Sequence, residues 1–164
     1  MGTRSGSIDP SIIEYICKET GKTISEVMND LNKNSGLYGI CGAADCRDVK
    51  QMKLAGDEKA TLAFEMYCTR IAKYIAEYCL ELGGKVDSII LTAGVGENGD
   101  LVRKLVMKRL TPLGITFDEE ANDKIAGFKD VHEGAISGKD SKIKVEIIPT
   151  DEEIMIARDT YKFI

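Results

Sequence analysis

VDSIILTAGVGENG, residues Val86 to Gly99, decides the fold. It opens as a short apolar run rich in Ile and Leu, the pattern of a buried strand. It then turns through Gly94, Gly96 and Gly99, and a helical pattern begins at Asp100. A strand that ends in glycines before a helix is a phosphate-binding geometry. Glycine lets the backbone approach a ligand closely, and a helix N-terminus offers free N–H groups and a positive dipole end.

Gly94 to Gly99 also satisfies G-x-G-x-x-G. Asp118 stands 24 residues beyond Gly94, near the place of the acid that binds ribose hydroxyls in dinucleotide-binding units. On spacing alone an NAD-binding Rossmann oxidoreductase domain is a reading of this stretch. So is a non-catalytic nucleotide-binding module. So is a turn that needs glycine only for its shape, with Asp118 as the N-cap of the next helix.

Outward from the turn, strands alternate with helices, which implies an α/β architecture. Asp9-Pro10 reads as a helix start, and Ile12, Ile13, Ile16 and Cys17 share one face of that helix. Thr23 and Glu26 form a capping box for a second helix, carrying Val27, Met28 and Leu31. Leu37 to Ala44 is Gly-rich and reads as irregular, followed by a short helix from Arg47 to Leu54. Asp57 caps the longest helix, which runs to about Leu82. After the glycine turn, Asp100 to Leu110 is helical and Ile115 to Phe117 reads as a short strand. A polar helical turn near Glu119 to Ile125, a small strand at Ala135 to Ser137 and a clear strand at Lys142 to Ile148 follow. Thr150 and Glu153 read as the capping box of a final helix.

The bulk numbers exclude several classes. The chain has 164 residues, enough for one domain with a real core. A net charge of −5 argues against a nucleic-acid partner held through a broad basic face. No apolar run approaches the roughly 18 residues of a membrane span. Cys17, Cys41, Cys46, Cys68 and Cys79 are odd in number and contain no C-x-x-C, which fits free thiols better than disulfides or zinc. The only histidine, His132, lies in a polar stretch and reads as a surface loop residue.

Four ordered blocks then point to one family. TAGVGENG resembles the T-G-G-I-G-E-N block of acetate kinases, and MGTRSGSIDPSI resembles their G-T-R-S-G-D-I-D-P-A-I segment. SGLYGICGAADCRDV resembles S-G-L-L-G-I-S-G-x-S-x-D-x-R-D, and VEIIPTDEEIMIARDT resembles V-x-V-I-P-T-N-E-E-x-x-I-A-R-D-T. Ala93, Val95 and Gly99 depart from the family's usual Gly, Ile and Ser, and Asp151 replaces its Asn.

The resemblance implies a partial ribonuclease-H-like lobe of the actin-like ATPase type, helix-rich, with its leading strands absent. Residues 1–153 would be the C-terminal nucleotide-binding lobe. Residues 154–164 would be a terminal helix that packs on an N-terminal lobe. The implied reaction is reversible phosphoryl transfer between ATP and acetate, giving ADP and acetyl phosphate. The implied cofactor is Mg2+, and propionate kinase is the nearest variant. Arg4 would stabilise the transition state. Asp45, Cys46, Arg47, Gly94, Val95, Gly96, Glu97 and Asn98 would line the nucleotide site, with Glu97 alternatively holding the turn through backbone N–H groups. Glu152 would bind the metal. Family members of this kind are cytoplasmic homodimers. The chain is expected to need the N-terminal half of the enzyme and to be inactive alone.

Overall fold

The computed structural model describes residues 1–125 and 132–163. It divides into two compact units, Met1–Arg70 and Ile71–Ile164, with the division falling inside the longest helix.

The first unit holds α1 (Ser11–Thr20), α2 (Ile24–Lys33), α3 (Gly36–Cys41), α4 (Cys46–Leu54) and the start of α5 (Glu58–Glu81). Local chemistry sets most of the boundaries. The Asp9 carboxylate accepts the Ser11 N–H at 2.9 Å, and Gly21 ends α1 in the left-handed region at φ 69°. Thr23 and Glu26 form the expected reciprocal capping box. Asp57 accepts the Ala60 N–H at 2.8 Å at the start of α5. Val27, Leu37, Val49, Ala60, Ala63, Phe64 and Cys68 are buried.

The expectation of an irregular Leu37 to Ala44 is corrected by α3. Its first-turn donors are satisfied at long range. Leu37 N–H donates to the Met1 carbonyl at 3.1 Å, Tyr38 N–H to Gly2 at 2.9 Å and Ser35 N–H to Thr3 at 2.8 Å. A short helix capped by a distant backbone has no local sequence signal. The approach is close: a Cβ on Gly36, at φ 63°, would lie 2.5 Å from the Met1 carbonyl oxygen.

The second unit holds the rest of α5, then β1 (Ser88–Leu91), α6 (Ala93–Asn98) and α7 (Asp100–Arg109). A 3-10 turn (Thr111–Leu113), α8 (Glu119–Lys124), β2 (Gly134–Ala135), β3 (Lys144–Ile147) and α9 (Glu152–Tyr161) follow. The sheet order is β1-β3-β2. β1 runs parallel to β3, from Ser88 opposite Lys144 to Leu91 opposite Ile147, and β2 is antiparallel to β3. Val102, Val106, Met107, Leu110, Ile115, Ile136, Val145 and Ile147 are buried. The fold is a helix-rich α/β lobe.

Three expectations change here. Ile115 to Phe117 is not a strand; it makes a single antiparallel bridge, Phe117 to Ser137. The chain cannot extend because Asp118 at once caps α8, accepting the Ala121 N–H at 2.9 Å. The parallel second strand that a Rossmann unit needs is therefore missing, and Asp118 has the capping role. The glycine turn is itself a helix, α6, so helical backbone starts at Ala93 rather than Asp100. The last helix is capped by Asp151, which accepts the Ile154 N–H at 2.9 Å, not by a Thr150–Glu153 box.

Candidate nucleotide site

β1 and β3 are parallel neighbours, so the segments leaving their C-terminal ends lie side by side. Ile148 N–H continues the ladder to the Leu91 carbonyl at 3.1 Å. The C-terminal ends of parallel strands are where open α/β sheets bind ligands. Here that edge carries α6 after β1 and the start of α9 after β3.

The glycines of the turn have different reasons. A Cβ on Gly99 would sit 2.4 Å from the Val95 carbonyl oxygen, and one on Gly96 would sit 3.0 Å from the Leu91 carbonyl carbon. The turn excludes a side chain at Gly99 and leaves Gly96 tight against the β1 backbone. A Cβ on Gly94 would meet nothing within 4 Å. Packing does not explain Gly94; it faces open space. Ala93, just before it, has a left-handed φ of 57°, the one such non-glycine among the described residues. Val95 is exposed, and the Asn98 amide donates to the Gly94 carbonyl at 3.2 Å, closing the short helix on itself.

Behind the turn lies a residue that the sequence reading missed. Arg103 is buried, at 2% exposure, among Val102, Val106 and Met107 of α7. Its guanidinium donates to the carbonyls of Gly96 (3.0 Å) and Glu97 (2.7 Å), to the Asn122 side-chain oxygen (2.7 Å) and to the Ile125 carbonyl. Burial pushes its pKa down, while Asp100 and Asp123 oppose that. An Arg inside an apolar helical stripe was the available signal. Thr150 was also misassigned. Its N–H and its hydroxyl both donate to the Glu97 carboxylate, at 3.0 and 3.2 Å, across 53 residues of sequence. Glu97 thus does hold a backbone N–H, though not one in its own turn. Glu152, in the first turn of α9, is exposed.

The remaining candidates belong to the first unit. Arg4 is exposed on a loop fixed on both sides, by Ser35 N–H to the Thr3 carbonyl and by Ser5 N–H to the Leu31 carbonyl, each 2.8 Å. Asp45 is the N-cap of α4 and accepts the Arg47 N–H at 2.8 Å. The Arg47 guanidinium also forks onto it, at 3.0 Å from Nε and 2.6 Å from Nη2. This side-chain pair, with the backbone bond, holds the Asp45 carboxyl down at about 2. The fork uses the guanidinium's edge and leaves its flat faces open. Cys46 is half-buried; burial, helped by the Asp45 charge, raises its thiol pKa. All five cysteines are free, and His132 is exposed, as expected.

The acetokinase family model matches residues 1–158. The chain belongs to the acetokinase family. The acetate kinase of Carboxydothermus hydrogenoformans is 51% identical over 164 residues, covering 100% of this chain and 40% of that protein. The acetate kinase of Bacillus subtilis is 48% identical over 163 residues, again covering 40% of its length. Among solved structures, Porphyromonas gingivalis acetate kinase superposes with a TM-score of 0.86 at 39% identity, over 99% of this chain and 40% of that one. A propionate kinase from Francisella tularensis superposes at 0.85 with 42% identity, over 96% of this chain and 38% of that one. This acetokinase chain therefore spans about two fifths of the length of these relatives. Membership sets aside the dinucleotide reading, in agreement with the missing parallel strand. No helix of the described residues is long and apolar enough to cross a membrane.

Proposed function

We propose that this chain is the C-terminal, nucleotide-binding portion of an Mg-dependent acetate kinase, catalysing ATP + acetate = ADP + acetyl phosphate together with an N-terminal half. The observation that carries the reading is the edge where β1 and β3 end. Gly94 is open there, although Gly99 is sterically required and Gly96 lies tight against the Leu91 backbone. Gly94 to Asn98 would take the nucleotide; Asp45, Cys46 and Arg47, in the first unit, are nucleotide-binding candidates through the family resemblance. An open face of Arg47 suits a base.

Phosphoryl transfer is achieved mainly by positioning and by cations placed on the equatorial oxygens. Arg4 is suited to that role by an exposed side chain on a pinned loop. When bound, Mg2+ neutralises charge on the phosphate oxygens. The residues fit it in one limited way. Glu152 is an exposed hard-oxygen donor, while no group of three or more His, Cys, Asp or Glu among the described residues could hold a metal. One carboxylate, with phosphate oxygens and water supplying the rest, is how magnesium usually sits.

The likeness to a propionate kinase supports propionate as a second acyl substrate class. Homodimer formation and a cytoplasmic location belong to the same reading. Calorimetric titration of the chain, alone and with its N-terminal half, against ADP, ATP and NAD tests it. Tighter binding of ADP or ATP is expected. NAD bound more tightly than ADP overturns the proposal.

A further inference from the structure

Glu97 is held at both ends. Its main-chain carbonyl accepts from buried Arg103 at 2.7 Å, and its carboxylate accepts two hydrogen bonds from Thr150. Arg103 in turn is fixed by Asn122 of α8. Thr150 immediately precedes Asp151 and Glu152, the cap and first residue of α9. The carboxylate therefore spans the gap between the segment leaving β1 and the segment leaving β3. Both hydrogen bonds from Thr150 fall on one carboxylate oxygen, Oε1, which fixes the orientation of the group.

We propose that Glu97 is a positioning residue that fixes the metal-binding carboxylate, Glu152, relative to the nucleotide turn. The inference rests on the assignment of the turn and of Glu152 made above. Its physical content is coupling. The turn is anchored from behind at the Gly96 and Glu97 carbonyls by the buried Arg103 guanidinium. α9 has no buried residue of its own to hold it. The Glu97–Thr150 pair is then a fixed point for the start of that helix. A displacement of an ångström at a metal ligand is enough to degrade a phosphoryl-transfer site.

The test uses Glu97→Ala, Thr150→Val and Thr150→Ser in the chain joined with its N-terminal half. The Mg2+ concentration for half-maximal rate and the nucleotide KM at saturating Mg2+ are both measured. Glu97→Ala is expected to raise the metal requirement about tenfold, with nucleotide KM at saturating metal within about threefold of wild type. Thr150→Val should move the same way, and Thr150→Ser should behave as wild type. Amide exchange on the metal-free 164-residue chain gives a readout independent of activity. Glu97→Ala should speed exchange at Glu153 to Met155 and leave α5 and α7 unchanged.

A larger effect of Glu97→Ala on nucleotide KM than on the metal requirement overturns the proposal, as does unchanged exchange in α9. Glu152→Gln with a normal metal requirement overturns the assignment of Glu152 instead. In that case the exchange result still reports whether Glu97 holds α9.

Discussion

Ala93 occupies a conformation that costs an alanine about 1–2 kcal/mol and a glycine almost nothing. Its φ of 57° is set by the sharp exit from β1 into α6. Ala93→Gly should therefore stabilise the chain by about 0.5–1 kcal/mol, after the larger unfolded-state entropy of glycine is subtracted. Urea unfolding of the pair of proteins measures it; a less stable glycine variant would show that the strain is absent. Asp45 gives a second residue-scale expectation. Its carboxyl, normally 3.8, is held at about 2 by the Arg47 side chain and N–H. A depressed pKa contributes stability that is complete above the unfolded value and is lost as pH falls through the folded one. The window is thus pH 4 down to 2. Carbon-13 titration should find the low midpoint, and Arg47→Ala should raise it partway, since the backbone N–H remains.

At the scale of elements, the turn after β1 separates two kinds of glycine. Gly99→Ala drives a methyl into the Val95 carbonyl and should cost more than about 2 kcal/mol. Gly94→Ala has room, and alanine favours a helix by about 1 kcal/mol over glycine, so its stability should match or exceed wild type. Yet it should weaken ADP binding, because the added methyl enters the open side. Calorimetry with thermal unfolding separates the two effects. Arg103→Ala strands the carbonyls of Gly96, Glu97 and Ile125 and should cost about 2–4 kcal/mol. Much of this region was readable in the sequence. β1, α7, α5 and the Thr23–Glu26 box declare themselves through periodicity and local caps. The parts that were not readable depend on distant partners. α3 is capped by carbonyls of residues 1 and 2, and the Thr150 hydroxyl bonds to Glu97 rather than back onto α9. A local reading assigns such donors to neighbours in sequence, because nothing nearby marks them as taken. Arg103 was overlooked for the complementary reason, that a charged residue is assumed to face water.

For the whole molecule, the surfaces left uncovered matter most. β1 pairs only with β3 among the described residues, and Ile90 is 53% exposed on it. α9 has no buried residue, and Ile156, Tyr161 and Phe163 are 66%, 77% and 90% exposed. An unpaired strand edge and an apolar helix face both favour association. The 164-residue chain should therefore self-associate at tens of micromolar and show no acetyl phosphate formation alone. Light scattering with a hydroxamate assay tests both; a monomer, or turnover above background, would contradict them.

The parallel pairing of β1 with β3 also imposes an order on synthesis. Ser88 leaves the ribosome long before its partner Lys144 exists. At about 5–20 residues per second, roughly 56 intervening residues take about 3–11 s. Throughout that interval the edge of Ser88–Leu91 that will pair with β3 lacks its ladder, while the helices of the first unit, built from local contacts, can already form. The nascent chain is thus open to chaperones and to misassociation through the apolar residues Ile89 to Leu91 until β3 has been made.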